Sequence, residues 1–174
     1  MFMPSEMYNK ISDADLGAIV AYLKNLPPID NELPDSKFRF LGRILSVMEP
    51  DFLPANLIDH DAPRPVEPVP GVTGEYGGYL SFVCTFCHGE NLAGGTVPGD
   101  EPDAPMAPNL TPGGNPGNWS QEQFVSTLRT GITPFGSVLD PENMPWLNFT
   151  KMTDDELTAI WLYLESLPAM ESEG

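Results

Sequence analysis

Two stretches of the chain carry the same helical rhythm of apolar and polar positions. Leu16, Ile19, Tyr22, Leu23 and Leu26 fall three and four residues apart, and so do Leu157, Ile160, Leu164 and Leu167 with Tyr163. That spacing gathers each set on one side of a helix. With an offset of 141, positions 3–27 match positions 144–168 at 11 of 25 places: Met3, Pro4, Lys10, Asp13, Leu16, Ala18, Ile19, Tyr22, Leu23, Leu26 and Pro27. Both copies read Met-Pro, a short loop, a capped helix, then Leu-Pro. Ser12 and Thr153 are placed as N-caps, with Asp15 and Glu156 three residues on as in a capping box. Asp13, Asp154 and Asp155 suit the positive end of a helix. Pro27 and Pro168 stand where the helices should stop.

Other elements follow from the same grammar. Residues 28–70 contain eight prolines and read as an extended, semi-rigid linker. Within it Ser36–Met48 is apolar at Phe38, Leu41, Leu45 and Met48, with Arg39 and Arg43 between, which predicts a short amphipathic helix over 36–48. Thr73 is placed to cap a helix over roughly 74–86. Gly77 and Gly78 each cost such a helix about 1 kcal/mol relative to Ala. They make sense where another helix comes close, and the candidate is the last one, through Ile160 and Tyr163. Residues 89–118 read as loop. Ser120, with Gln123 at the box position, opens a helix whose apolar side is Phe124, Val125 and Leu128, and Gly131 ends it. The loop Ile132–Asn143 leads to Met144-Pro145-Trp146. Nothing alternates strands with helices, so the fold class expected is all-α.

Composition sharpens this picture. Pro (20) and Gly (16) make up about a fifth of the 174 residues, well above the usual share of about 12%, so long loops are expected. A small domain with so little regular structure needs a staple, and a covalent cofactor can serve as one. With 25 Asp and Glu against 8 Lys and Arg, the net charge of −17 argues against binding nucleic acid. It allows steering of a basic partner. No apolar run reaches the ~20 residues of a membrane span, and Met1-Phe2-Met3-Pro4 does not read as a signal peptide.

The chemistry concentrates at Cys84-Thr85-Phe86-Cys87-His88. Cys-x-x-Cys-His is the attachment signature of a c-type haem. The two thiols can add to the two vinyl groups of one porphyrin, and the histidine is then placed as proximal iron ligand. A structural zinc site needs four ligands. Beyond these three the chain offers only His60 as a soft ligand, in the linker, where a solvated side chain is the simpler reading. A thioredoxin-like pair needs a βαβ context that is missing.

The order of parts resembles a class I cytochrome c domain over residues 71–168: helix, Cys84-x-x-Cys87-His88-Gly89, Pro108-Asn109-Leu110, middle helix, Met144-Pro145, last helix. Glu75-Tyr76-Gly77-x-Tyr79-Leu80, Ala107–Pro112, Leu128-Arg129-Thr130-Gly131 and Met144-Pro145-Trp146 resemble, more narrowly, multi-haem cytochrome c subunits that accompany membrane-bound alcohol and gluconate dehydrogenases. The resemblance implies a class I cytochrome c fold of three to five short helices around one covalent haem c. It implies His88 as proximal ligand through Nε2 and the Pro108 carbonyl as acceptor for His88 Nδ1–H, a bond that fixes the ring tautomer. Asn109 and Leu110 belong to the haem-binding loop, with Leu110 against the porphyrin. Met144 supplies the thioether on the opposite face. Met106, Met152 and Met170 are its rivals, but Met106 lies beside the proximal loop, Met152 abuts a helix cap and Met170 lies in the acidic tail. Trp119 and Arg129 could bond the haem propionates; equally, Trp119 could staple a helix entry and Arg129 face a helix C-terminus. Trp146 is expected to wall the distal side.

With both axial positions filled there is no open site for substrate, so the expected function is one-electron transfer rather than enzymatic catalysis. The cytochrome is expected to serve as a subunit or module of a larger redox complex, its partners a dehydrogenase subunit, other cytochromes or a terminal oxidase. Alternatives are a stand-alone soluble carrier, a haem enzyme or gas sensor if Met144 does not bind, and a filament-forming haem protein. The repeat implies that residues 1–27 are the tail of a preceding cytochrome c domain, with Met3 its stranded ligand, 28–70 a linker and 71–174 a cytochrome c domain. Haem c attachment implies a periplasmic or other extracytoplasmic location, with membrane association only through a partner or a missing segment.

Overall fold

The computed structural model describes residues 5–32, 40–49, 51, 53–97 and 103–172. Met3 and the start of the predicted 36–48 helix lie outside them. Two compact units divide the chain, Met1–Glu67 and Pro68–Gly174. Among the described residues the secondary structure is helical, and the only β pairings are two isolated bridges, Gly95–Ala107 and Ile132–Val138.

In the first unit a short helix α1 (Ser5–Tyr8) precedes α2 (Asp13–Asn25), and α3 (Phe40–Met48) is followed by a 3₁₀ turn, Pro54–Leu57. Ser12 starts α2 as expected: its hydroxyl accepts from Asp15 N at 3.1 Å. Arg64, late in the Pro-rich stretch, pins that stretch to the α1–α2 corner. Its Nε donates to Asp13 at 3.0 Å and its Nη2 to the Ile11 carbonyl at 3.1 Å, with Nη1 on Asn9. Ile11 and Ser12 are the buried residues at this corner. None of α2 is buried.

In the second unit Thr73 caps α4 (Gly74–Leu80) by accepting from Tyr76 N at 3.2 Å. The single helix predicted over 74–86 is in fact broken. A 3₁₀ segment, Ser81–Cys84, intervenes before α5 (Thr85–His88). The cause is local. Ser81 Oγ donates back to the Gly77 carbonyl at 2.7 Å and Thr85 Oγ1 to the Phe82 carbonyl at 2.7 Å, and such back-bonding competes with the regular ladder and bends it. The break re-aims the Cys-x-x-Cys-His segment relative to α4.

α6 (Gln121–Thr130) and α7 (Asp154–Ser166) both begin with complete capping boxes, Ser120 with Gln123 and Thr153 with Glu156. Gly131 closes α6 in the left-handed conformation, φ 69°. The core is Leu92, Phe124, Leu128, Leu157, Ile160, Trp161 and Leu164. α4 crosses α7 at Gly77, where a Cβ would lie 1.8 Å from the Ala159 carbonyl oxygen, and Gly78 faces the Tyr163 ring. Glycine is therefore obligatory at 77. The Phe124 and Trp161 rings, 5.6 Å apart, join α6 to α7.

Candidate haem site

The 3₁₀ segment and α5 carry the two thiols and the imidazole. Cys84 packs against the apolar core, and burial, with a smaller contribution from neighbouring Cys87, pushes its thiol up to about 12. The two cysteines are not joined in a disulfide. Among the described residues no three His, Cys, Asp or Glu side chains gather to hold a metal ion by themselves.

His88 is buried, with Nδ1 2.7 Å from the Pro108 carbonyl oxygen. A carbonyl only accepts, so Nδ1 carries the proton and Nε2 keeps its lone pair. Burial lowers the imidazole's affinity for a proton, and the Pro108 bond offsets this only in part. The ring is therefore held neutral, in one tautomer and in the form that binds a metal.

The loop after His88 is compact. Gly94 N donates to the His88 carbonyl at 2.9 Å and Leu92 N to the Gly89 carbonyl at 3.0 Å. This turn puts Leu92 at φ 61°, in the left-handed region, although it is a bulky residue. Such a conformation persists only where the surroundings enforce it. Here Leu92 is buried in the core and its carbonyl accepts from Leu110 N at 2.8 Å. Sequence reasoning passed over Leu92. The signal lay in a lone leucine set between Gly89 and Gly94-Gly95.

Cys84, Leu110, Trp119 and Met144 all pack on the same apolar core. Met144 is held by its backbone, with N donating to the Asp140 carbonyl at 2.8 Å and its own carbonyl accepting from Trp146 N at 2.7 Å. Met152, a rival, also touches that core, whereas Met106 is exposed. Trp119 Nε1 is buried without a hydrogen-bond partner. A buried indole N–H of this kind is costly, and an anionic group such as a porphyrin carboxylate would supply an acceptor. Cys84, the Met144 thioether and the orphaned Trp119 donor at one apolar core, with Cys87 and a neutral His88 imidazole following Cys84 in the chain, fit a haem c.

Three residues tied to the haem by sequence have other contacts. Asn109 turns inward: its Oδ1 accepts from Thr111 N and Thr111 Oγ1, both at 2.8 Å, and its Nδ2 donates to the Met170 carbonyl at 2.8 Å. It thus holds the loop to the C-terminal tail. Arg129 donates from Nη1 to the Thr150 carbonyl at 2.6 Å and from Nη2 to Asp154 at 2.7 Å. It links the 3₁₀ segment Trp146–Lys151 to the start of α7, and those two nitrogens are occupied without a propionate. Trp146 lies over Gly131 and donates Nε1 to the Leu139 carbonyl at 3.2 Å.

Residues 77–164 match the family described as "Cytochrome C oxidase, cbb3-type, subunit III", and the chain belongs to that family of electron-transferring cytochromes c. Its cofactor is haem c. The chain is 31% identical over 114 residues to the "Fructose dehydrogenase cytochrome subunit" of Gluconobacter japonicus, covering 58% of this chain and 23% of that protein. It is 33% identical over 95 residues to the "Alcohol dehydrogenase (quinone), cytochrome c subunit" of Gluconobacter oxydans (strain 621H), covering 52% of this chain and 20% of that protein. The match thus spans less than a quarter of the length of either relative.

Proposed function

We propose that residues 71–174 carry one covalent haem c, bound through Cys84 and Cys87, with His88 Nε2 and Met144 Sδ as axial ligands, and pass single electrons within a larger redox assembly. The observation that carries this reading is the His88–Pro108 bond of 2.7 Å. It fixes the one tautomer that leaves Nε2 available, at the end of a short helix that carries Cys87 and directly follows Cys84.

Bound, the haem supplies a one-electron iron couple. The protein's own residues supply the rest. The Pro108 carbonyl orients the imidazole and makes it a stronger donor. Leu92 and Leu110, packed at the core, would keep water from the haem, and the Trp119 N–H would bond one of its carboxylates. With Met144 as the second ligand, its thioether would raise the reduction potential relative to a second imidazole. The names of the two relatives support a partner of the dehydrogenase type; other cytochromes or a terminal oxidase would be further partners, and haem c attachment would place the chain in an extracytoplasmic compartment. The internal repeat and the uncovered α2 support residues 1–27 as the closing helix of a preceding cytochrome c domain, joined through the linker 28–70.

Intact mass of the chain matured with haem tests the attachment: an increment of one haem is expected, and none or two would refute the reading. The oxidised spectrum tests the ligand. The weak far-red band of methionine–iron bonding is expected in the parent and absent in Met144→Ala, with a lower potential and ready binding of CO. A band that survives in Met144→Ala and disappears in Met152→Ala would move the ligand to Met152.

A further inference from the structure

The oxygen that orients His88 belongs to the peptide unit between Pro108 and Asn109. Pro108 has no N–H, so its neighbours must hold that carbonyl in place. Peptide planarity makes the Pro108 carbonyl and the Asn109 Cα parts of one rigid plate. Upstream, Ala107 pairs with Gly95 through bonds of 2.8 and 3.0 Å. Downstream, the plate is anchored through Asn109, which is 4% exposed.

Asn109 is held at both ends of its amide. Oδ1 accepts from Thr111 N and Thr111 Oγ1, and Nδ2 donates to the Met170 carbonyl. Met170 N in turn donates to Thr111 Oγ1. The three residues thus close a ring of hydrogen bonds in which every donor faces an acceptor. Turning the amide over would set its NH₂ against the Thr111 N–H and its oxygen against the Met170 carbonyl, so the orientation is fixed. Thr111 is fully buried. Away from water a broken member of such a network is costly. The tail also passes close above the loop, where a Cβ on Gly113 would collide with the Met170 carbonyl oxygen. Met170 contributes only backbone atoms to the ring.

We infer that this ring is a lock on the Pro108–Asn109 peptide, with Asn109 a positioning residue for His88 and the tail at Met170 its latch. With His88 as the iron ligand, as proposed above, the lock sets how strongly the imidazole donates. A firm Nδ1–H···O bond makes the ring a better donor. A better donor stabilises Fe(III) more than Fe(II), so the intact lock keeps the reduction potential down and a loosened one lets it rise.

The test uses the haem-loaded full chain. The reduction potential is measured by spectroelectrochemistry, and exchange of the His88 Nδ1 proton with deuterium by NMR of the reduced protein. Thr111→Val removes the hydroxyl at nearly the same size, Gly113→Ala pushes the tail away, and Met170→Pro deletes the tail's donor. Each is expected to favour reduction by about threefold or more, about 30 mV at about 59 mV per tenfold for one electron. That is below the roughly 10–100-fold in metal affinity that outright loss of such a partner costs. Exchange should quicken roughly tenfold, about the worth of one hydrogen bond. Thr111→Ser and Met170→Ala keep the ring and should stay at the parent values. Met170→Pro lies beyond α7 and so leaves the core packing in place. The lock is overturned if the three ring-breaking variants melt earlier yet keep the parent's potential and exchange, because the ring would then serve stability alone. It is equally overturned if Met170→Ala shifts as Met170→Pro does. Intact mass and the spectrum of the parent separate the two readings: a parent without haem or without His88 ligation overturns both, whereas a His88-ligated parent indifferent to the ring variants overturns the lock alone.

Discussion

α2 and α7 share a sequence pattern but not an environment. Both are 13-residue helices, capped by Ser12 and Thr153 and ended at Leu26 and Leu167. Leu157 and Leu164 are fully buried in α7, while of their counterparts in α2 Leu16 is only partly buried and Leu23 is 57% exposed, and Tyr22 is 67% exposed. The difference lies in what crosses the helix. α7 is crossed by α4 at Gly77 and flanked by α6. α2 has Ala18 and Tyr22 at the places of Ala159 and Tyr163, yet none of its residues is buried. Local signals thus make a helix in both places, and tertiary partners decide whether its apolar side becomes core.

Substitutions at matched positions can break that comparison. The largest effect is expected at Gly77→Val. A side chain there meets the Ala159 backbone, which no rotamer relieves, so about 3 kcal/mol or more should be lost in denaturant unfolding of the haem-loaded chain. A methyl group added at Gly17 in α2 would meet nothing within 4 Å, so Gly17→Ala should gain up to about 1 kcal/mol of helix stability. Next comes Leu164→Ala, expected to cost about 2–5 kcal/mol by opening a cavity, against less than about 0.5 kcal/mol for Leu23→Ala. Comparable losses for the two leucines would show that α2 is covered in solution. The smallest contrast lies in the caps: Ser12→Ala and Thr153→Ala should each cost about 1 kcal/mol, read by helicity and melting, because capping acts within one turn. A large difference between the two would mean that the environments reach into the helix starts as well.

The same division explains what could be read from the sequence. The starts of α6 and α7 were legible because Ser120-Gln123 and Thr153-Glu156 are local codes, and the stop of α6 because Gly131 takes a left-handed turn. The close approach behind Gly77-Gly78 was legible because two glycines in a helix need a reason. The Pro108 carbonyl lies 2.7 Å from His88 Nδ1, the bond that the cytochrome c resemblance implied. The break between α4 and α5 was not legible: it depends on hydroxyls choosing carbonyls one turn back, which sequence spacing allows but does not require. Trp161 escaped because periodicity counts one side of α7, while this ring is buried by Phe124 from α6. The turning of Asn109 toward Met170 depends on a contact 61 residues away. For α2, the pattern told which side is apolar and nothing about what would cover it.

The second unit also closes on itself. Its first helix, α4, lies on its last, α7, and just beyond α7 the chain is fastened to the Pro108–Thr111 loop, where Met170 N donates to Thr111 Oγ1 at 3.1 Å. Entry and exit are therefore neighbours, and the ring of chain between them contains the whole core. In evolutionary terms, such a unit can be duplicated head to tail with only a spacer added, because neither end has to be cut out of the packing. A Pro-rich spacer is what separates the near-copy at 3–27 from the unit that follows.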